Sequence, residues 1–490
     1  MSLSLIQRAA YHANSTAFTT DTVMYRYQDL LDRSHQIASA LLGDTNDLAE
    51  DHVAYLVPAG FDYAATQWGI WRSGAVAVPL SVSATLQEWK YAVEDSQSKL
   101  IVTNNEYAEQ LRPLNIPLLN INQMTEAAAS KLPEVNPSRA AMMLYTSGTT
   151  SKPKGVLTTH DCIDAQIQSL VQAWRWQSDD RIPLFLPLHH IHGIINIMSC
   201  ALFSGATIEP FNRFDITTIF DRVAGNAYTV FMAVPTIYVK MIEALEQLSD
   251  AQRQPVIDGF AAMRLMVSGS AALPASVHEQ WTRLTGQRLL ERYGMTEIGM
   301  ALSNPYLGER RPGSVGLPLP GVEVRLVDEQ ANVVDVDDVA GEIQVRGKNV
   351  FREYWKRPEA TVDSFTKGWF RTGDIAVRES GYLRIMGRSS VDIIKSGGYK
   401  LSALEIEAAL LDHPCIKECA VVGIPDDTWG ESVAAAVVTD TATAMDLSTL
   451  RSWCQDRISP YKIPRHLKCV DSLPRNAMGK VTKPVVADLF

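Results

Sequence analysis

The sequence predicts an α/β fold: a large N-terminal region of several subdomains with layered, mostly parallel sheets and a β-rich subdomain, followed by a small α+β C-terminal domain. Three observations predict it. Apolar strand-like runs alternate with amphipathic helix-like stretches through most of the chain, the pattern of α/β layers. From about residue 313 the texture changes to short β-like pieces joined by glycine turns. After Arg388 a compact final segment of strands and helices follows, long enough for a domain of its own. At 490 residues the chain exceeds what one hydrophobic core normally holds, and the expected division is 1–388 and 389–490.

Each element has its signal. The runs HVAYLV (52–57), KLIVTN (99–104), AAMMLY (140–145), TVFMAVP (229–235) and RLMVSGS (264–270) are apolar and strand-like, and helix-compatible stretches follow most of them. In open α/β sheets, ligand sites collect in the loops at the carboxyl ends of such strands. GVEVRLVD, GEIQVRG and GYLRIMGR supply the β-rich subdomain. The final segment reads as IIKSGGYKL, a helix LSALEIEAALLDH, strands ECAVVGIP and SVAAAVV, a helix near DLSTLRSWCQDRI, and a basic tail.

Composition narrows the function classes. Apolar residues make up 46% and charged residues 20%, ordinary for a globular enzyme. The net charge of −10 argues against nonspecific nucleic-acid binding, which needs a basic face. The six cysteines are scattered with no C-x-x-C pair, so a zinc site or disulfide framework is not expected and a reducing compartment, the cytoplasm, is. The first residues, MSLSLIQRAAYHANS, have neither the apolar core nor the cleavage site of a secretory signal and only a weak likeness to a transit peptide. No run approaches a membrane span.

The most informative segment is LYTSGTTSKPKG (144–155). Hydroxyls and glycines are packed into one loop that Lys152 and Lys154 follow. Glycine permits the tight conformation, exposed N–H groups and hydroxyls cradle phosphate oxygens, and the cations complete a polyphosphate nest. It is not a Walker A loop, whose G-x-x-x-x-G-K-[ST] spacing it lacks. Four more segments share the theme. In ERYGMTE (291–297), Tyr293 suits a purine face, Thr296 a phosphate oxygen, and Glu297 a hard cation such as Mg²⁺. In VSGSAAL, the small residues Gly269, Ser270 and Ala271 would let an adenine ring lie against the backbone. In WFRTGDIA and GYLRIMGR, Asp374 can accept both ribose hydroxyls and Arg388 can reach the same sugar. In LPRNAMGKV, Lys480 is a point charge suited to a developing anion, with Arg465 and Arg475 nearby in sequence.

Taken together and in this order, YTSGTTSKPKG, YGMTE, TGD, the GR ending at Arg388, SGGYKLSALEIE and PRNAMGK resemble the adenylate-forming superfamily of acyl-CoA synthetases, luciferases and nonribosomal-peptide adenylation domains, over nearly the whole chain. The resemblance implies ATP, Mg²⁺ and CoA as cofactors and a two-step ligase. A carboxylate attacks the α-phosphorus of ATP, and a thiol then displaces AMP from the mixed anhydride. By resemblance Thr146, Ser147, Gly148, Thr149, Thr150 and Lys154 hold phosphates. Gly269, Ser270, Ala271, Tyr293 and Thr296 complete the ATP site, and Glu297 holds Mg²⁺. Asp374 and Arg388 take the ribose. Lys480, Thr296 and Glu297 form the catalytic set. The C-terminal domain is implied to be mobile, withdrawing Lys480 and bringing Gly397 and Gly398 to line a CoA tunnel. Many relatives carry Asp or Lys at the hinge, where this chain has Ser389 and Ser390, with Asp392 just beyond.

The acid is the finer question. LPLHHIHG (186–193) aligns His190 with the pocket histidine of relatives. A metal reading of its three histidines is disfavoured, since neither carboxylate nor Cys stands nearby in sequence. Ile191 and Met300 are expected to narrow the pocket toward short acids. Arg292 is the sharper clue, because a buried guanidinium needs an anionic partner. The string around it resembles malonyl-CoA synthetases, including the acyl-CoA synthetase family member 3 group, where an arginine at this position is read as the ligand of a distal carboxylate. Where some bacterial relatives place a second arginine, this chain has Lys240. The expectation is a malonate:CoA ligase that also accepts methylmalonate. The alternatives are a ligase for another short or medium acid, or an adenylating enzyme that loads a carrier protein. Nucleic-acid partners are not expected.

Overall fold

The computed structural model describes residues 3–124, 131–146, 152–397, 399–440, 445–475 and 481–490. Its centre is a seven-stranded sheet. From one edge the strands run Glu353–Tyr354, Lys154–Thr159, Ala140–Thr146, Val76–Pro79, His52–Leu56, Leu100–Thr103 and Leu118–Asn120. The five from Ala140–Thr146 onward pair in parallel, and the two at the near edge are antiparallel. All five residues of His52–Leu56 are buried, as expected of a parallel strand covered on both faces. The helix Phe61–Arg72 packs on Tyr27–Leu42 through Gly69, where a Cβ would lie 2.6 Å from Ile37 Cγ2.

A second sheet carries most of the site. Val230–Ala233, Leu265–Ser268 and Leu290–Met295 are parallel, and Gly299–Ser303 and Leu317–Pro318 add antiparallel strands. A four-stranded sheet joins Met24–Arg26, Thr16–Thr19, Thr207–Pro210 and Arg181–Leu184. The glycine-punctuated pieces of the β-rich subdomain are strands Val322–Val327, Gly341–Gly347 and Tyr382–Arg388, organised around the long strand Trp369–Glu379.

The last segment folds as expected. Ile393–Ser396 and Tyr399–Ser402 form a hairpin, Ile416–Asp426 and Gly430–Thr439 a long antiparallel pair, and His466–Cys469 adds in parallel. Helices Ala403–Leu411 and Leu447–Cys454 begin with Ser402 and Asp446 accepting backbone N–H bonds, which satisfies helix-end donors. The buried apolar clusters divide along the chain: those of the N-terminal region reach Leu383, and those of the remainder start at Ile394. No helix among the described residues is long and apolar enough to cross a membrane.

Close helix contacts depend on absent side chains. At Gly259 a Cβ would sit 2.0 Å from the backbone oxygen of Val223, so Asp250–Ala262 and Ile216–Ala224 touch through glycine. Gly259→Ala is expected to cost about 1–3 kcal/mol, read as a lower melting temperature; an unchanged value would show slack between these helices.

Candidate active site

The carboxyl ends of three strands build the site. Thr146 ends Ala140–Thr146 and pairs with Lys154 across the loop. Ser147, Gly148, Thr149 and Thr150 lie outside the described residues. Lys154 Nζ stands 4.9 Å from the centre of the Tyr354 ring, a cation–π contact on the antiparallel edge of the sheet. The Tyr354 hydroxyl donates to Glu297 Oε1 at 2.8 Å, and the Glu297 backbone oxygen accepts from Phe351 N at 2.7 Å. Glu297 is buried, and burial raises its carboxyl above the ordinary range, offset in part by Tyr354, Arg388 and Lys154. A buried carboxylate with one oxygen engaged by a hydroxyl fits a hard cation, which prefers such oxygens. Glu297 would therefore hold Mg²⁺, with the half-buried Thr296 beside it.

A second cluster is knitted around Asp374. Antiparallel register sets Asp374 opposite Arg388. Arg388 Nε donates to Asp374 Oδ1 at 3.0 Å, and the Tyr293 hydroxyl donates to Oδ2 at 2.5 Å. The field of Glu297 also reaches Arg388, so both carboxylates share one cationic group. Thr146, Lys154, Tyr293, Glu297, Asp374 and Arg388 thus converge through Tyr354 and Arg388, although they span much of the sequence. Tyr293 is almost wholly buried, so its hydroxyl orders Asp374 as directly as its ring could face a purine.

Strand alternation divides the site into two sides. Tyr293 faces Asp374; Arg292, one residue earlier on Leu290–Met295, faces the opposite way. Its guanidinium lies against Gly269, where a Cβ would come within 2.5 Å of Arg292 Cζ. The exposed Ser270 has a positive φ of 73°, unusual for a non-glycine residue, and Ala271 beside it is exposed. Arg292 Nη2 donates to Ser270 Oγ at 3.3 Å, and Ser270 Oγ stands 3.1 Å from His192 Nδ1. Burial, then Arg292 and His190, hold His192 well below the usual histidine range. The Ser270 hydroxyl can donate to Nδ1 or accept from it, and the tautomer in which Ser270 donates has the His192 proton on Nε2. Both His192 Nε2 and Arg292 Nε are buried without a hydrogen-bond partner among the described residues, as are both side-chain polar atoms of Asn196. Burial also pushes Arg292 down to about 9, still cationic at neutral pH.

His192 opens the fully buried π-helix His192–Ser199, a form that recurs at functional sites. His190, the expected pocket histidine, and Ile191, expected to narrow the pocket, are half-buried just before it, with the rings of His189 and His190 4.1 Å apart. Met300 is buried behind Gly294, where a Cβ would meet Met300 Cε at 2.5 Å. Lys240 is exposed on the helix Pro235–Gln247. Sequence reasoning therefore missed Tyr354, which sits in no motif, and His192, which meets Arg292 through Ser270. Gly397 has φ 58° and lies against Trp429; Gly398 and Lys480 are outside the described residues.

The sequence profile described as AMP-binding enzyme matches residues 5–355, and that of the AMP-binding enzyme C-terminal domain matches 405–480. The chain belongs to the AMP-binding enzyme family. It is 42% identical to the mitochondrial malonate–CoA ligase ACSF3 of Mus musculus over 94% of this chain and 86% of that protein. It is 37% identical to the malonate–CoA ligase of Arabidopsis thaliana over 97% and 86%. The crystal structure of ATP-bound MatB from Rhodopseudomonas palustris superposes with a TM-score of 0.89 at 32% identity, covering 100% of this chain and 99% of MatB. For an AMP-binding enzyme, a guanidinium with an unpaired Nε in the second half of the site is a stored cost. Arg292→Met is expected to stabilise the ligand-free protein by about 1–4 kcal/mol, read as a higher melting temperature; a lower one would show that the charge is already compensated.

Proposed function

We propose that this AMP-binding enzyme is an ATP-dependent malonate:CoA ligase that forms malonyl-adenylate and then malonyl-CoA, AMP and pyrophosphate. Arg292 Nε and His192 Nε2, both buried around Ser270 without a partner among the described residues, carry the reading, with His192 in the tautomer that protonates Nε2. A second carboxylate on the acid supplies the acceptors they lack and the charge that Arg292 requires. A monocarboxylic acid supplies neither. The names of the relatives, malonate–CoA ligases of an animal and a plant, agree with it.

In this reading one malonate carboxylate rests on Arg292 and His192 while the other attacks the α-phosphorus. An O–P bond forms, the bond to the β-phosphate bridging oxygen breaks, and pyrophosphate leaves. The barrier is largely electrostatic, because anions approach one another. Thr146, Ser147, Gly148, Thr149, Thr150 and Lys154 hold phosphates, and Asp374 and Arg388 hold the ribose. Lys480 neutralises the developing charge. Bound Mg²⁺ would add further charge neutralisation. The thiol of CoA then loses its proton to solvent and forms a C–S bond at the acyl carbon, the acyl C–O bond breaks, and AMP departs with that oxygen. Residues 1–388 bind ATP and acid, and residues 389–490 swing about a pivot just after Arg388. Gly397 and Gly398 give the pantetheine close backbone approach. A reducing compartment, the cytoplasm in the simplest case, suits the free cysteines.

Pyrophosphate release measured over malonate, methylmalonate, acetate and hexanoate, with CoA and with a carrier protein as acceptor, tests the reading. Malonate with CoA should give the highest kcat/KM. A higher value for acetate or hexanoate contradicts the acid assignment, and transfer only to the carrier protein contradicts the acceptor. Arg292→Ala should cost malonate about 2–5 kcal/mol in kcat/KM and a monocarboxylate far less; equal losses would remove Arg292 from the acid site. Lys480→Ala should suppress adenylation and spare thioester formation from preformed malonyl-adenylate; parallel losses would contradict its role.

A further inference from the structure

A buried ammonium links the hinge to the tail that carries Lys480. Lys483, only 8% exposed, forms ion pairs with Asp392 Oδ1 at 2.6 Å and Glu407 Oε1 at 2.8 Å. Asp392 is the carboxylate just beyond the hinge serines, and its Oδ2 accepts the backbone N–H of Arg388 at 2.9 Å. Arg388 in turn binds Asp374. One continuous polar path therefore runs from the ribose-side Asp374 through Arg388 and Asp392 to Lys483, three residues past Lys480.

Desolvating this ammonium is costly unless it is paired, and nothing in the apolar packing of the domain requires a charge here. Val486 already anchors the tail helix in the core against Ala420 and Val422. The base of the tail is closed by a bridge between Arg475 and Val481 and by Thr482 N donating to Pro474 O at 2.8 Å. Those contacts attach the tail to the strands beside it; Lys483 attaches it to Asp392 just past the hinge serines and, through Glu407, to the helix Ala403–Leu411. The hairpin bearing Gly397 starts one residue after Asp392 and has closing contacts of its own, strand pairing and Gly397 N donating to Trp429 O at 2.9 Å.

We propose that Lys483 is a positioning residue for the adenylation half-reaction: its bridge to Asp392 sets the register of the Lys480 tail against the hinge and the ribose-binding pair, while the CoA-side hairpin keeps its own closing contacts without it. The inference rests on the assignment of Lys480 to adenylation.

The test separates the half-reactions in the full-length enzyme. Lys483→Met should lower pyrophosphate-forming adenylation by roughly 10- to 100-fold, the scale of a small misplacement of a catalytic group. Thioester formation from preformed malonyl-adenylate should stay within about threefold of wild type, a change too small for lost positioning. Lys483→Arg, which keeps the charge, should recover most of the loss. If two stranded carboxylates prevent folding, Lys483→Met/Glu407→Gln removes the second charge and carries the same expectation. Equal loss of both half-reactions in a variant that melts like wild type, or undiminished adenylation, overturns the proposal. Lys480→Ala run alongside distinguishes the causes: if it spares adenylation the tail assignment itself is wrong, and if it alone suppresses adenylation only the Lys483 inference fails.

Discussion

The alternation of one strand is the constraint on which the site depends. Leu290–Met295 puts Arg292 and Tyr293 on opposite faces. One neighbour is thereby committed to a buried cationic pocket and the other to the carboxylate that pairs with Arg388. The distance between the Arg292 side and the Asp374 side is then fixed by the pleat of a single strand. A one-residue slip would exchange the two roles, and the parallel pairing of Leu290 with Val267 beside Gly269 prevents it.

Gly269 and Ser270 complete that constraint from the neighbouring strand. The glycine lets the guanidinium lie against the backbone, and the left-handed turn at Ser270 brings its hydroxyl between Arg292 and His192. The result is a pocket that is costly when empty of anion. Such strain is tolerable where it is released on binding, because interactions that strengthen with the substrate raise discrimination. On the Tyr293 side the opposite economy holds: Asp374 and Glu297 are each engaged by a tyrosine hydroxyl and share the field of Arg388.

Much of this was legible in the residues. The apolar runs at 140–145, 229–235 and 264–270 contain the strands that deliver the loops, and Gly-separated β pieces gave the β-rich subdomain, because strand periodicity and turn chemistry are local properties. Tyr354 was not legible: it lies 57 residues from Glu297 and reaches it only because the edge strand Glu353–Tyr354 pairs with Lys154–Thr159. His192 was not legible beside His190, since it reaches Arg292 only through the left-handed turn at Ser270, 78 residues away. The Asp392–Lys483 pair joins residues 91 positions apart through tertiary packing alone.

The most direct measurement is a crystal structure with a malonyl-adenylate analogue. The account predicts the distal carboxylate within hydrogen-bond distance of Arg292 and His192, with the acyl phosphate on the Glu297 and Asp374 side. A distal carboxylate directed to solvent, or held by Lys240 with Arg292 still unpaired, would contradict it.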